Sequence, residues 1–393
     1  MYLYKVLLTC FYLQLWLKKN CLSCGSYSFK KDGKVLLQTF THRGWQRILH
    51  QLYRCLSCGH PWHNADMIGQ FSTRMVDYLA YIYLHSLSLE DTVGIVRAFF
   101  QKDYLTKDTV LDHLEQLIDR LPSVDKISKK FKPARSGYYA WDGTWLKFQG
   151  RDIVLLICFD VVSLDVVSYL VAPDECYETY LVLINIIKQT EPDILANAKG
   201  FFCDGELGLL KILRERYSAT PLQLCVFHKY SRAGQIIPFV HANGMDKDIK
   251  ERVEKVLFAP TKQLAIYNLV ELKRYASKHQ QNRKLKKIIG ILKRNFELLL
   301  THFDHPEMSP YNNVLEGFNG IIKRKFNLMK GFKKELNVDR WVKLLLLDYR
   351  FHKIHSSKFP NRNGKSPLEL AQVSLPKYHN WITLVRRKVC VSP

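Results

Sequence analysis

The stretch Gly200-Phe-Phe-Cys-Asp-Gly-Glu206 joins an uncharged run to an acidic residue and a glycine. The run from Gly200 to Cys203 predicts a short strand that ends at Asp204. Gly205 permits a sharp backbone turn, and the residues that follow, 207–217, predict a helix. Asp204 is therefore expected at a strand end, where its carboxylate serves a site, caps the following helix, or does both.

Three further strand-like runs lie upstream of this stretch, at 137–148, 152–162 and 166–172. The short turns between them predict an antiparallel meander. A helix at 174–189 follows, and a last strand at 222–226 comes after the second helix. The order β-β-β-α-β-α-β resembles that of a ribonuclease-H-like α/β domain, in which adjacent central strands bring carboxylates together at one sheet edge.

A second acidic residue, Asp142, lies in an apolar strand between Trp141 and Trp145. A charge in the middle of a core strand is costly unless it is paired or bound to a metal. Gathered Asp and Glu carboxylates hold divalent metals for phosphoryl transfer. Asp160 and Glu206 are rival acids, and Asp160 is expected to be structural because it lies close to a turn.

The third acidic residue is Glu316, on a helix-like segment that also carries Asn312, Asn313 and Asn319. Spacing alone does not separate a site residue from a plain surface glutamate, so both interpretations stay open. Together with Asp142 and Asp204, Glu316 completes a candidate set of three carboxylates.

The chain is strongly basic, with 59 Lys and Arg against 36 Asp and Glu, a net charge of +23 and a pI near 9.5. Such a charge attracts polyanions. The segment 271–360 alone holds 20 basic and 8 acidic residues, interleaved with aromatic side chains. This composition indicates a nucleic-acid surface; a solvated helix face, a ribosomal protein and a membrane-surface protein are the alternatives.

Two Cys-x-x-Cys pairs near the front, Cys21/Cys24 and Cys55/Cys58, share their spacing and a trailing glycine. Paired knuckles of this kind supply four thiolates to a structural zinc ion. The separation of 30 residues between the pairs implies an extended hairpin or loop. His60 and His63 lie close enough in sequence to substitute for a ligand, and redox or coincidental pairing is the alternative. The other cysteines are expected to be core thiols in a reducing cytoplasm.

Residues 71–121 predict helices, with Ser88 as an N-cap and another helix starting near Thr106. A short helix, a turn and a helix with a polar start resemble a DNA-reading helix-turn-helix, although any three-helix bundle gives the same pattern. In chain order, the predicted domains are an apolar leader of unclear status at 1–19, a zinc ribbon at 20–66, the helical domain at 67–121, a linker at 122–136, a catalytic domain at 137–355 with a helical insertion at about 229–308, and a helical tail at 356–393.

Four motifs resemble those of Mutator-like transposases and related insertion-sequence transposases of the DDE type. They are Asp142-Gly-Thr-Trp, Cys203-Asp-Gly-Glu-Leu-Gly-Leu-Leu-Lys211, Cys225-Val-Phe-His228, and Asn313-x-x-Glu316-x-x-Asn319. The resemblance covers about 137–355, and the front end is similar to zinc-ribbon heads of insertion-sequence proteins. The segment 34–53 is longer than such heads carry, and the apolar leader has no recognised counterpart.

The resemblance implies that Asp142, Asp204 and Glu316 hold two Mg²⁺ or Mn²⁺ ions, with Cys225, His228, Asn313 and Asn319 in support. The family places an all-helical insertion between the second and third acids. Cys225 and His228 alone make a weak zinc site. We therefore expect His228 to form hydrogen bonds or position DNA, and Cys225 to pack; metal binding by His228 is less favoured.

The resulting expectation is a transposase that binds the terminal inverted repeats of its element, cleaves there, and joins the 3′-hydroxyl to target DNA. Its partners would be double-stranded DNA and further copies of itself in a synaptic complex, in the cytoplasm at the nucleoid, with no membrane partner. A domesticated or inactive transposase that binds DNA is one alternative. A ribonuclease-H-like nuclease without strand transfer is another.

Overall fold

A computed structural model of the chain describes residues 21, 24, 26–41, 43–63, 67–68, 71–85, 88–100, 105–148, 151–328, 336–376 and 380–388. The predicted leader, 1–19, lies outside these residues. The chain divides into two compact units. The first draws on Met1–Ile127, Arg340–Asp348 and Pro376–Pro393, and the second on Ser128–Asp339 and Tyr349–Leu375.

The first unit begins with a long antiparallel hairpin, β1 (Phe29–Thr41) and β2 (Gly44–Cys55), paired from Phe29 with Cys55 to Thr41 with Gly44. This hairpin fills the separation between the two cysteine pairs, as the spacing implied. Three short strands complete a sheet of order β3-β2-β1-β5-β4, namely β3 (Pro61–His63), β4 (Met67–Ile68) and β5 (Phe71–Ser72).

Three helices follow in the first unit: α1 (Thr73–His85), α2 (Leu89–Phe100) and α3 (Lys107–Arg120). The Ser88 hydroxyl accepts a hydrogen bond from the backbone N–H of Asp91, 3.1 Å away, and thus caps α2. Thr106 caps α3 in the same way through the N–H of Thr109. Side-chain oxygens satisfy these free N–H groups, so both helices start where the polar residues predicted.

The predicted linker, 122–136, contains a helix, α4 (Val124–Phe131), and the division between the two units falls after Ile127. Val124 and Ile127 are fully buried. The two prolines and the basic residues indicated a linker, but apolar residues at a helical spacing inside it fold as a helix.

The second unit contains a mixed five-stranded sheet of order β10-β9-β6-β7-β8. The strands are β6 (Tyr138–Phe148), β7 (Arg151–Asp160), β8 (Asp165–Ala172), β9 (Gly200–Cys203) and β10 (Leu222–Leu224). The first three form the predicted antiparallel meander, and β9 runs parallel to both β6 and β10. The predicted order of strands and helices is therefore confirmed as an α/β arrangement.

Helices α5 (Tyr177–Thr190) and α6 (Leu207–Arg216) connect these strands. Their apolar residues pack with β6, β7 and β9 in one core, which includes Trp141, Tyr180, Phe201 and Leu213. After β10 the second unit becomes helical. These helices are α7 (Val226–Gly234), α8 (Gly244–Leu257), α9 (Lys262–Lys278), α10 (Arg283–Lys293), α11 (Phe296–Leu299), α12 (Thr301–Asp304) and α13 (Asn313–Leu328), with a 3₁₀ turn at Phe239–His241. Helix α14 (Leu336–Phe351) follows, and its residues Arg340–Asp348 belong to the first unit.

A buried ion network fixes one side of the second unit. The Asp165 carboxylate accepts hydrogen bonds from Arg135 at 2.8 Å and from Arg350 at 2.7 and 2.8 Å. Arg135 also pairs with Glu191. Burial alone would raise the pKa of Asp165, but the two guanidinium groups outweigh it and hold that pKa below its usual range.

The C-terminal region contains a 3₁₀ turn at Pro360–Arg362 and the helices α15 (Pro367–Leu370) and α16 (Trp381–Lys388). Ser366 and Glu369 form the capping box that the sequence predicted for α15. Within the described ranges, no helix is long and apolar enough to cross a membrane.

Candidate active site

Asp142 and Asp204 lie next to each other on the central parallel strands of the sheet. Strands β6 and β9 pair Tyr138 with Gly200 and Ala140 with Phe202. When this pairing is continued by two residues along each strand, Asp142 comes opposite Asp204, which directly follows β9. Side chains at paired positions lie on the same face of a sheet. The two carboxylates therefore face one side of the sheet, as the strand positions predicted.

Asp142 accepts hydrogen bonds on both carboxylate oxygens. The backbone N–H of Gly143 donates to Oδ1 at 2.9 Å, and the side-chain amide of Asn319 donates to Oδ2 at 2.7 Å. Burial, together with the negative charges of Asp204 and Glu175, raises the pKa of Asp142 to about 7. Carboxylates held this close repel one another, and this arrangement favours a cation between them.

Asp204 accepts the backbone N–H of Glu206 at 3.1 Å and pairs with the Arg232 guanidinium at 3.0 Å. The N-cap of α6 is Glu206, whose carboxylate accepts the N–H of Leu209 at 2.7 Å. The helix cap, which was one of the alternative roles of Asp204, is therefore supplied by Glu206. The Asp204 carboxylate can therefore interact with residues across the sheet, whereas the Glu206 carboxylate is engaged at the start of the helix.

Glu316 and Asn319 lie three residues apart on α13, so they share one face of that helix. Asn319 reaches Asp142, while Oε1 of Glu316 lies 3.6 Å from Nδ1 of His228. Asn313 is exposed at the first position of α13, and Asn312 is buried just before it. The structure thus brings Asn319, but not Asn313, to the candidate carboxylates.

Two residues near this site were missed by the sequence analysis. Glu175 lies with its carboxyl group against Gly143, and its Oε1 accepts the Tyr180 hydroxyl at 2.6 Å. Burial and the charges of Asp204 and Glu206 raise the pKa of Glu175, against the opposing hydrogen bond from Tyr180. No local pattern distinguishes Glu175 from other acids that precede a helix.

Arg232, the other missed residue, has a signal in the sequence. It lies seven residues after Cys225 and four after His228, a spacing that places all three on one face of α7. Its guanidinium contacts Asp204. If the helical repeat had been followed through charged residues as well as apolar ones, it would have identified Arg232 as a neighbour of this face.

Asp160 has a structural role, as predicted. It is fully buried, and its carboxylate accepts hydrogen bonds from the N–H and hydroxyl of Ser136 at 2.7 and 2.8 Å. The N–H groups of Val162 and Ser163 donate to it as well. One carboxylate thus accepts all of these hydrogen bonds, and Asp160 thereby stabilises the turn between β7 and β8.

The candidate carboxylates fit hard divalent cations by type, since Asp142, Asp204 and Glu316 offer oxygen ligands only. Burial first, and then the charges of Asp204 and Glu175, raise the pKa of Asp142, and a bound cation would offset both effects. The ligand atoms of the three residues do not all lie within 4.8 Å of one another, in contrast to the group formed by Cys225, His228 and Glu316. The side chains of Arg232 and Asn319 occupy oxygens that a metal would need.

A separate cluster in the first unit consists of Cys21, Cys24, Cys55 and Cys58, whose sulfur atoms all lie within 4.8 Å of one another. The Cys21–Cys58 and Cys24–Cys55 pairs have Sγ–Sγ distances of 3.5 and 3.6 Å. Tetrahedral zinc with Zn–S bonds of about 2.3 Å separates its sulfurs by about 3.8 Å.

The local backbone supports this arrangement. The N–H of Ser57 donates to the Cys55 sulfur at 3.3 Å, and Gly59 has a positive φ of 73°. Amides that point at sulfur after a turn are typical of zinc knuckles. The four thiols therefore fit a structural zinc ion, and the two nearby histidines are not needed as ligands.

Residues 163–354 match the model of a family described as "Transposase, Mutator family". This match, just under half of the chain, confirms the resemblance to Mutator-like transposases that the motifs indicated. It includes Asp204, Glu316 and the segment from Cys225 to His228, while Asp142 lies ahead of it. A search of curated proteins found no match. The family match supports a transposase and implies DNA as the partner.

Proposed function

We propose that the chain is a DDE transposase in which Asp142, Asp204 and Glu316 hold two Mg²⁺ or Mn²⁺ ions. The observation that carries this proposal is the juxtaposition of Asp142 and Asp204 on parallel strands, with α13 packed so that Asn319 contacts Asp142. This arrangement supports a ribonuclease-H-like assignment for the sheet. The family match over 163–354 supplies the DNA substrate class.

The bound metal ions would activate the attacking oxygen and stabilise the leaving one. The protein side chains orient the carboxylates and balance their charge. Asn319 holds Oδ2 of Asp142 in a fixed orientation. Arg232 neutralises Asp204 until a cation replaces it. Lys323, on the same helix as Glu316, partly offsets by its charge the rise in the pKa of Asp142 and adds positive potential for phosphate.

The zinc ribbon and the α1–α3 bundle are proposed to bind the terminal inverted repeats. The hairpin carries several basic residues, and the net charge of the whole chain is +23. Phosphate contacts from such residues supply most non-specific affinity and make it salt-dependent. Synapsis of two ends would require at least two copies of the chain. A cytoplasmic, nucleoid-associated location belongs to the same proposal.

The test is a strand-transfer assay with double-stranded element ends, supercoiled target DNA and Mg²⁺. We expect joined product from the wild-type chain and none from Asp142→Ala or Glu316→Ala, with repeat binding retained in both variants. Asp160→Asn is unsuitable as a control because it would disrupt the fold. Asp193→Ala, on the surface of the same unit, should keep full activity. Full strand transfer by either site variant would contradict the assignment.

The same assay separates the alternatives. A domesticated or inactive transposase would bind the repeats without cleaving them. A nuclease without strand transfer would cleave, but precleaved ends with a free 3′-hydroxyl would give no joined product.

A further inference from the structure

Cys225, His228 and Glu316 form a second metal-ligating group in the second unit. Their ligand atoms, one sulfur, one ring nitrogen and one carboxylate oxygen, all lie within 4.8 Å of one another. The sequence offered only the cysteine and histidine as a pair. The third ligand comes from a residue 88 positions further along the chain than His228, and only folding brings it there.

The three side chains are held by the starts of two helices. Cys225 is the N-cap of α7 and His228 follows three residues later, so one turn of the helix directs both to the same side. Glu316 lies in the first turn of α13, where its backbone N–H bonds to the carbonyl of Asn312. The backbone N–H of Val226 bonds to the carbonyl of Pro310, which ties the two helix starts together.

Two polar atoms inside this group have no hydrogen-bond partner. They are Nδ1 of His228 and Oε1 of Glu316, both buried and 3.6 Å apart. That separation is too long for a hydrogen bond. It is close to the roughly 3.4 Å between nitrogen and oxygen ligands of one tetrahedral zinc ion. A buried polar atom without a partner is rare in proteins, and a shared ion would satisfy both atoms.

The third ligand, Cys225, is buried at the start of α7. A sulfur ligand beside an imidazole and a carboxylate is a set of donors that zinc accepts.

We propose that Cys225, His228 and Glu316 bind one zinc ion, separate from the four-cysteine zinc. Sulfur and imidazole ligands select zinc over magnesium, since Mg²⁺ prefers oxygen. Three protein ligands leave the fourth position open for water or a phosphate oxygen, as in zinc sites that act in catalysis. A carboxylate has two oxygens, so Oε1 of Glu316 serves this ion while the other can serve a magnesium ion. The binding itself does not depend on transposition.

The first test measures zinc stoichiometry on the full chain after dialysis against zinc-buffered solution. We expect two zinc ions per chain in the wild type and one in Cys225→Ser and in His228→Ala. Cys176→Ser is the matched control: Cys176 is also a helix N-cap thiol in the same unit, but it lies outside the group and should leave two zinc ions. One ion in the wild type, or two in a folded Cys225→Ser, would overturn the proposal.

The second test uses the wild type alone and therefore does not depend on how the variants fold. The four-cysteine site is first filled with one equivalent of zinc, and one equivalent of Co²⁺ is then added. We expect a thiolate-to-cobalt charge-transfer band with the d–d absorption of a tetrahedral ion, and its loss on adding more zinc. Cobalt bound without thiolate absorption would show that Cys225 is not a ligand, and no bound cobalt would show that the group binds no metal; either result would overturn the proposal. Neither result bears on strand transfer, so this proposal and the proposed function fail independently.

Discussion

The side-chain amide of Asn319 donates a 2.7 Å hydrogen bond to Oδ2 of Asp142, a residue 177 positions earlier in the chain. This contact fixes α13 against β6 and thereby sets where Glu316 lies, one turn before Asn319. An asparagine that orients a metal ligand acts as a positioning residue, because partners of metal ligands fix their orientation and basicity.

Asn319→Ala should lower DNA cleavage by about 10- to 100-fold, the usual effect of removing a partner of a metal ligand. The loss should be partly recovered at high Mg²⁺, since orientation rather than ligation is impaired. Asn327→Ala, at an exposed position of the same helix, is the control and should leave the rate unchanged. A rate equal to that of the wild type at all Mg²⁺ concentrations would remove Asn319 from the site.

The pKa of Asp142, raised to about 7 by burial and by the charges of Asp204 and Glu175, predicts a pH effect on stability. Because the folded state holds this proton at higher pH than the unfolded state, folding is favoured below the folded pKa. Stability should therefore fall as pH rises from about 4 to about 7 in Mg²⁺-free buffer. Asp142→Asn should flatten this part of the Tm profile, and added Mg²⁺ should restore stability above pH 7. An identical profile in the variant would contradict the raised pKa.

Arg350→Met should destabilise the second unit by about 3–5 kcal/mol, the cost of leaving a buried partner uncompensated. Asp165 would keep only Arg135, although both side chains of the Arg350–Asp165 pair are fully buried. Denaturant unfolding followed by circular dichroism measures the change. Lys147→Ala, which breaks an ion pair on the surface of the same unit, should shift stability by less than about 0.5 kcal/mol.

Gly208→Ala and Gly290→Ala make the same substitution in two helices and should act in opposite directions. A Cβ on Gly208 would lie 2.7 Å from Cα of Tyr177, so α6 would be forced away from the start of α5. We expect a loss of about 1–3 kcal/mol. Nothing lies within 4 Å of a Cβ on Gly290 in α10, where alanine should add about 0.5–1 kcal/mol by helix propensity. Equal shifts in Tm would contradict the close packing at Gly208.

The sequence was sufficient for the strands of the second unit, for most helices and for the caps, because each depends on residues close together in the chain. The apolar run before Asp204 and the capping box at Ser366 are examples. It was insufficient for contacts that join distant segments, such as Asn319 with Asp142, Arg232 with Asp204, and Glu316 with His228. Glu175 was missed because its role depends on a neighbour across the fold rather than on its own context. Helix α4 was missed because prolines and lysines around it indicated a linker.

The β1–β2 hairpin places the four thiols at one end and the turn after Thr41 at the other. A strand of 13 residues spans about 40 Å, more than the roughly 34 Å of one turn of B-DNA. The hairpin therefore holds the thiol cluster and the turn further apart than one turn of B-DNA. Deleting two cross-strand residue pairs, two residues from each strand, would shorten this separation by about 7 Å without touching either end.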